Sequence, residues 1–154
     1  MRSAAAVGQW AKGLFPQAWQ ERDKETAKLG FKLRTTQQSA LDFMASRRGI
    51  LLGDDMRTGK TAAGLCAHDP ARGQLVIVAP LPARAVWLGW ARRVFPNLEI
   101  GVCIGKKFDP EIFANPIVLA HYDIIGAWQS MKPIGTLIFD EAHLLTNRKA
   151  IRTN

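Results

Sequence analysis

Ile50-Leu51-Leu52-Gly53-Asp54-Asp55-Met56-Arg57-Thr58-Gly59-Lys60-Thr61 reads as a short apolar run, a tight polar loop and the start of a helix. The free backbone N–H groups that open such a helix point into the loop and, with the helix dipole, form a cradle for an anion. In that setting Lys60 reaches the β- and γ-phosphates of a nucleotide and the Thr61 hydroxyl ligates Mg²⁺. The strict phosphate-loop spacing is not met, because Asp54 stands where the first glycine belongs. A plain strand–turn–helix with an exposed lysine therefore remains an alternative for this stretch alone.

Working outward, short apolar runs alternate with longer mixed segments, as in a parallel sheet with crossover helices. Strands are expected at Ile50–Leu52, Leu75–Val78, Leu98–Ile104, Ile117–Leu119 and Thr136–Phe139, with helices at about 60–68, 83–95 and 123–131. These runs lack polar alternation, which fits parallel strands covered on both faces. The expected class is α/β: a mostly parallel sheet with flanking helices, an incomplete phosphate-loop lobe. Residues 1–31 form a separate leading arm, in which Trp10, Leu14, Phe15 and Trp19 share one helical face despite Pro16. That arm reads as an accessory helical segment, and residues 32–154 as the main domain.

A second candidate site is Leu137-Ile138-Phe139-Asp140-Glu141-Ala142-His143, two carboxylates placed where a buried strand runs out. Ligands of open α/β sheets bind beyond the carboxyl ends of the strands, where the phosphate loop also leaves its own. Adjacent carboxylates there divide the work: Asp140 holds the magnesium shell and Glu141 orients or deprotonates the attacking water. An acidic pair alone would equally suit a solvated helix N-terminus. The order of the two motifs, each after a strand, favours Mg-ATP chemistry.

The totals narrow the class. A chain of 154 residues with 47% hydrophobic and 22% charged residues has the composition of one folded domain. Twenty-one Lys and Arg against 13 Asp and Glu give +8, a surplus suited to phosphate, as in nucleic acid or an anionic surface. Cys66 and Cys103 lie in no CxxC or His-paired cluster, which argues against a zinc site or disulfide framework and for an intracellular location, cytoplasmic or with the nucleoid or nucleus. No apolar run reaches the roughly 18 residues of a membrane span, and Gln9 interrupts the early run before it reaches signal-peptide length.

Taken together these segments resemble the first RecA-like lobe of a superfamily 2 helicase, and most closely the Swi/Snf type of DNA translocase. That family writes its phosphate loop Asp-Glu-Met-Gly-Leu-Gly-Lys-Thr, so the acidic residue at position 54 is a family trait. Leu33-Arg34-Thr35-Thr36-Gln37 followed by Ala40-Leu41 is similar to its adenine-side Leu-Arg-Pro-Tyr-Gln segment. Val78-Ala79-Pro80 with Trp87, then Ala120-His121-Tyr122, then Asp140 to His143 with Asn147, resemble its following motifs in order. One departure is Arg57, which stands where the family has glycine; its side chain either reaches phosphate or DNA or turns to solvent.

The resemblance implies a set of roles. Gln37 contacts adenine; Asp54, Met56, Arg57, Thr58, Gly59, Lys60 and Thr61 surround the nucleotide; Thr61 and Asp140 hold Mg²⁺. Lys60, Asp140 and Glu141 serve catalysis, and His143 couples the nucleotide to the rest of the motor. The family's DNA-contacting places fall at Pro80, Leu81, Arg84, His121 and Tyr122, with Arg148, Lys149 and Arg152 after the acidic box. These last three read equally as a solvated helix face. Backbone contacts of this kind imply double-stranded DNA bound without sequence preference and with strong salt dependence. The resemblance also implies a second RecA-like lobe, in cis or in trans, to supply the transition-state arginine. The competing expectation is a half-motor that binds DNA or a partner without turning ATP over. Trp87 and Trp90 are expected to pack in the core, and Arg92, Arg93, Lys106 and Lys107 to lie on the surface.

Overall fold

In the computed structural model residues 27–45, 47–53, 58–129 and 132–145 are described. Trp10, Leu14, Phe15 and Trp19 of the expected arm lie outside them, as do Asp54, Met56, Arg57, Arg148, Lys149 and Arg152. The chain divides into two compact units, one ending at Ala67 and the other beginning at His68.

In the first unit, helix α1 (Thr35–Ala45) packs on helix α2 (Lys60–Cys66). Gln37 and Leu41, one turn apart, bring one stripe of α1 into the interior, and α2 buries Ala62, Ala63, Leu65 and Cys66. The expected strand at Ile50–Leu52 does not form: these residues carry no ladder and Leu51 is 81% exposed. Three apolar residues between Gly49 and Gly53 make too short a run, flanked by the residue that loses most freedom in a strand.

The second unit is a four-stranded, wholly parallel sheet in the order β2-β3-β1-β4. The strands are β1 (Gln74–Val78), β2 (Ile100–Val102), β3 (Ile117–Ala120) and β4 (Ile134–Phe139). Parallel neighbours require crossovers. Helix α3 (Arg84–Val94) lies between β1 and β2, and the short α4 (Pro110–Phe113) between β2 and β3. Asp109 caps α4 by accepting from the amides of Glu111 and Ile112, with Pro110 at its first position.

The two inner strands β1 and β3 are buried along their whole length, as their uninterrupted apolar runs require. One cluster joins Val76, Val78, Val118 and Ala120 to Phe113, Tyr122 and Ile124. Gln74 is the polar exception: buried at 2%, its amide donates to the carbonyls of Phe113 and Asn115 and ties the end of α4 to the start of β1. Gly73, at φ +126, lets the chain turn into β1 where a side chain would strike the Pro133 carbonyl.

Three expected elements are corrected. Strand β2 is confined to Ile100–Val102; Pro96 and Asn97 bend the chain, with the Leu98 amide bonded back to Phe95. The expected helix at 123–131 is a 3-10 turn, Tyr122–Ala127, since β-branched Ile124 and Ile125 followed by Gly126 make a poor α-helix. Strand β4 is covered only in part, with Ile134 40% and Leu137 45% exposed; among the described residues it has a strand neighbour on one side only. Among the described residues no helix is long and apolar enough to cross a membrane.

Candidate nucleotide and nucleic-acid site

The phosphate-loop residues belong to the first unit. Gly59 adopts φ +85, ψ 28 immediately before Lys60, a left-handed conformation that glycine adopts without strain. The Gln37 amide nitrogen donates to the Gly59 carbonyl at 3.1 Å, and its oxygen accepts from the Arg34 backbone N–H at 2.8 Å. Gln37 thus spans the start of α1 and the turn into α2 with both ends of its amide engaged. A Cβ at residue 59 would collide with that amide, so the glycine is required by both its dihedral and its neighbour. Thr58, Lys60 and Thr61 are partly exposed around the same turn.

The acidic box belongs to the second unit. The register pairs Val78 with Ala120 and with Phe139, so the carboxyl ends of β1, β3 and β4 finish level. Ala79, His121 and Asp140 therefore follow at one edge of the sheet. The ladder runs one step further, through Asp140 N–H to the Val78 carbonyl at 2.9 Å and Ala79 N–H to Ala120 at 3.1 Å. Two aromatic donors then fix Asp140. The Trp87 indole N–H donates to its Oδ2 at 2.8 Å, and the Tyr122 hydroxyl to its backbone carbonyl at 2.6 Å.

Glu141 follows at φ 57, a positive value that costs a residue with a Cβ about 1–2 kcal/mol. Its carboxylate is exposed and lies 3.2 Å from the Nδ1 of His143. Strain at one member of an acidic pair is common where geometry serves function.

The residues expected to meet nucleic acid take different positions. Leu81 is 51% exposed, on a 3-10 turn (Leu81–Ala83) that leaves β1 through Pro80, itself half-buried. Arg84 is half-buried, its guanidinium donating to the Cys103 carbonyl at 2.5 Å. His121 and Tyr122 are each 4% exposed. His121 Nε2 faces the Gly105 carbonyl at 3.0 Å, which fixes Nε2 as the protonated nitrogen and leaves Nδ1 buried without a partner among the described residues. Arg92, Arg93, Lys106 and Lys107 are exposed, as expected. Trp87 is buried at 4% and packs inward as expected, whereas Trp90 is only half-buried, with the Arg93 guanidinium 5.5 Å from its ring centre; the bond from Trp87 to Asp140 was not legible from helical spacing. The one usable signal was that a buried indole must place its N–H somewhere polar.

Two other groups carry no chemistry of this kind. Burial, with Asp109 adding to it and Arg84 opposing, pushes the Cys103 thiol up to about 11, so it is neutral near pH 7 and not a nucleophile. The Lys106–Asp123 ion pair at 3.8 Å is a surface contact.

Magnesium in nucleotide sites is held by one or two carboxylates together with phosphate oxygens and water. Asp140 at a strand's end fits that pattern. Among the described residues no three His, Cys, Asp or Glu side chains form a cage that would hold an ion without phosphate.

No protein-family model matches the chain. Curated relatives do. The chain is 31% identical over 134 residues to the SWI/SNF-related matrix-associated actin-dependent regulator of chromatin subfamily A-like protein 1 of Xenopus tropicalis, covering 82% of this chain and 14% of that protein. The Bos taurus protein of the same name is 28% identical over the same length, and the Caenorhabditis elegans homolog 29% identical over 126 residues, 76% of this chain and 18% of that one. Through most of its length, then, this chain is similar to SWI/SNF-related proteins, of whose own length it spans 14–18%.

Proposed function

We propose that the chain is the nucleotide-binding part of the first RecA-like lobe of a Swi/Snf-type translocase, which couples Mg-ATP hydrolysis to movement on double-stranded DNA when a second lobe completes the site. The observation that carries the reading is Asp140-Glu141 at the carboxyl edge of a wholly parallel sheet, in a chain that also holds Gly59-Lys60-Thr61 and is similar to SWI/SNF-related proteins over 82% of its length. The relatives' names describe regulators of chromatin, which favours DNA without sequence preference as the track and a DNA-containing compartment as the location.

In this reading Lys60 binds the β- and γ-phosphates, while Gln37 exchanges a bond within the chain for one to adenine. Thr61 and Asp140 would hold magnesium, which when bound neutralises charge on the phosphates. Glu141, on its strained backbone, orients a water and takes its proton, and His143 beside it passes the change onward. Pro80 and Leu81 at the sheet edge, and Arg57 of the phosphate loop by its charge, would contact phosphate or DNA. Arg148, Lys149 and Arg152 would add cationic charge for the same phosphate contact.

The roles separate by mutation. In the chain joined with its second lobe, Lys60→Ala abolishes nucleotide binding, while Glu141→Gln keeps binding and lowers hydrolysis by at least about a hundredfold. Equilibrium titration with a fluorescent ATP analogue and steady-state phosphate release measure the two. Loss of binding in Glu141→Gln would contradict its assignment. A second reading, a DNA- or partner-binding module without turnover, is favoured by the net charge of +8. It predicts DNA affinity that falls with salt and is indifferent to ATP.

A further inference from the structure

The indole of Trp87 is a buried polar group whose partner lies on a different element. It lies on the helix that follows the exposed Leu81–Ala83 turn, yet it spends its only donor on the carboxylate at the end of β4. Trp87 is 4% exposed, so its N–H has no recourse to water. The Asp140 main chain is already held on both sides, by the bond from its N–H to Val78 and the bond from Tyr122 to its carbonyl. What remains free in Asp140 is rotation of the carboxylate, and that is what a hydrogen bond to Oδ2 restrains. Among the described residues Oδ1 takes no hydrogen bond, so one oxygen is anchored and the other available.

We infer that Trp87 is a positioning residue: its indole N–H sets the rotation of the Asp140 carboxylate and links that carboxylate to the Pro80–Arg84 segment at the head of α3. This rests on the reading of Asp140 as the magnesium-shell carboxylate. A bond from a rigid ring on α3 means that displacement of Leu81–Ala83, as by a bound DNA backbone, is transmitted to the carboxylate through one turn of helix and one hydrogen bond. Groups that orient a ligating side chain influence metal affinity without touching the metal.

Trp87→Phe keeps the buried ring and removes the donor. In the full chain it is expected to weaken the Mg²⁺ dependence of ATP binding on the order of tenfold, while affinity for ATP in excess chelator is unchanged. A structural defect would lower both. In the Asp140→Asn background the same substitution is expected to change Mg²⁺ dependence by less than about twofold, since the two act through one bond. Without nucleotide, the ¹H–¹⁵N resonance of the Trp87 indole, assigned through the wild-type chain, is expected to shift on Asp140→Asn and to stay in place on Glu141→Gln. That measurement stands even if Trp87→Phe fails to fold.

The positioning role is overturned if Asp140→Asn alters Mg²⁺ dependence but Trp87→Phe does not, or if the indole resonance ignores Asp140→Asn. If Asp140→Asn leaves Mg²⁺ dependence unchanged, or no nucleotide binds at all, the assignment of Asp140 itself falls and takes this role with it.

Discussion

Asp42 on α1 is 1% exposed and, among the described residues, neither of its carboxylate oxygens has a hydrogen-bond partner. Burial raises its pKa above the ordinary value of 3.8, because a charge without partner or water is disfavoured. The folded chain therefore holds this proton more tightly than the unfolded one. The contribution to stability is complete below the ordinary value and is lost as pH rises through the raised value. Asp42→Asn removes that dependence: the variant is expected to be more stable than the wild type at pH 7 by on the order of 1 kcal/mol, with the gap closing toward pH 4. Urea melts across that range measure it, and a constant gap would contradict the account. Residues of this kind mark the limit of what sequence conveys. Gly59-Lys60-Thr61 and Asp140-Glu141 can be proposed from sequence because the chemistry they suggest is local to the motif. The bond from Trp87 to Asp140 crosses 53 residues and the one from Gln37 to Gly59 crosses 22, so neither leaves a pattern in the chain. His121 and Tyr122 were expected to meet DNA, yet both side chains are buried.

At the scale of elements, legibility followed burial. Val76-Ile77-Val78 and Ile117-Val118-Leu119 are apolar because both faces of β1 and β3 are covered, and both strands were expected within a residue or so. Ile50-Leu51-Leu52 has the same pattern without a ladder, since apolar character states that a segment gains by pairing and not that a partner is present. The six residues Tyr122–Ala127 carry helical spacing, but Gly126 and two β-branched neighbours favour the tighter turn. The same contrast predicts stability along the sheet. Leu119, fully buried at the centre, is expected to cost about 2–5 kcal/mol on substitution by alanine. Leu137, 45% exposed on the edge strand β4, is expected to cost less than about 1 kcal/mol. Denaturant midpoints of the two variants decide it; equal losses would mean that β4 is covered as β3 is.

At the scale of the molecule, the sheet brings the carboxyl ends of three strands level, with the acidic box at one of them and the Leu81–Ala83 turn at another. The chain spans only 14% of the Xenopus tropicalis relative, and the activity proposed here belongs to the completed motor. Its central claim, that Lys60 and its loop bind a nucleotide, is open to test on this chain alone. A ligand that binds only the folded state raises the melting temperature, by an amount equivalent to about 2.7 kcal/mol at a hundredfold excess over its dissociation constant. The most direct measurement is thermal unfolding with and without Mg-ATP, on the wild type and on Lys60→Ala. The account predicts an upward shift in the wild type that disappears in the variant. A wild type that melts at the same temperature with and without millimolar Mg-ATP, or a shift that survives Lys60→Ala, would contradict it.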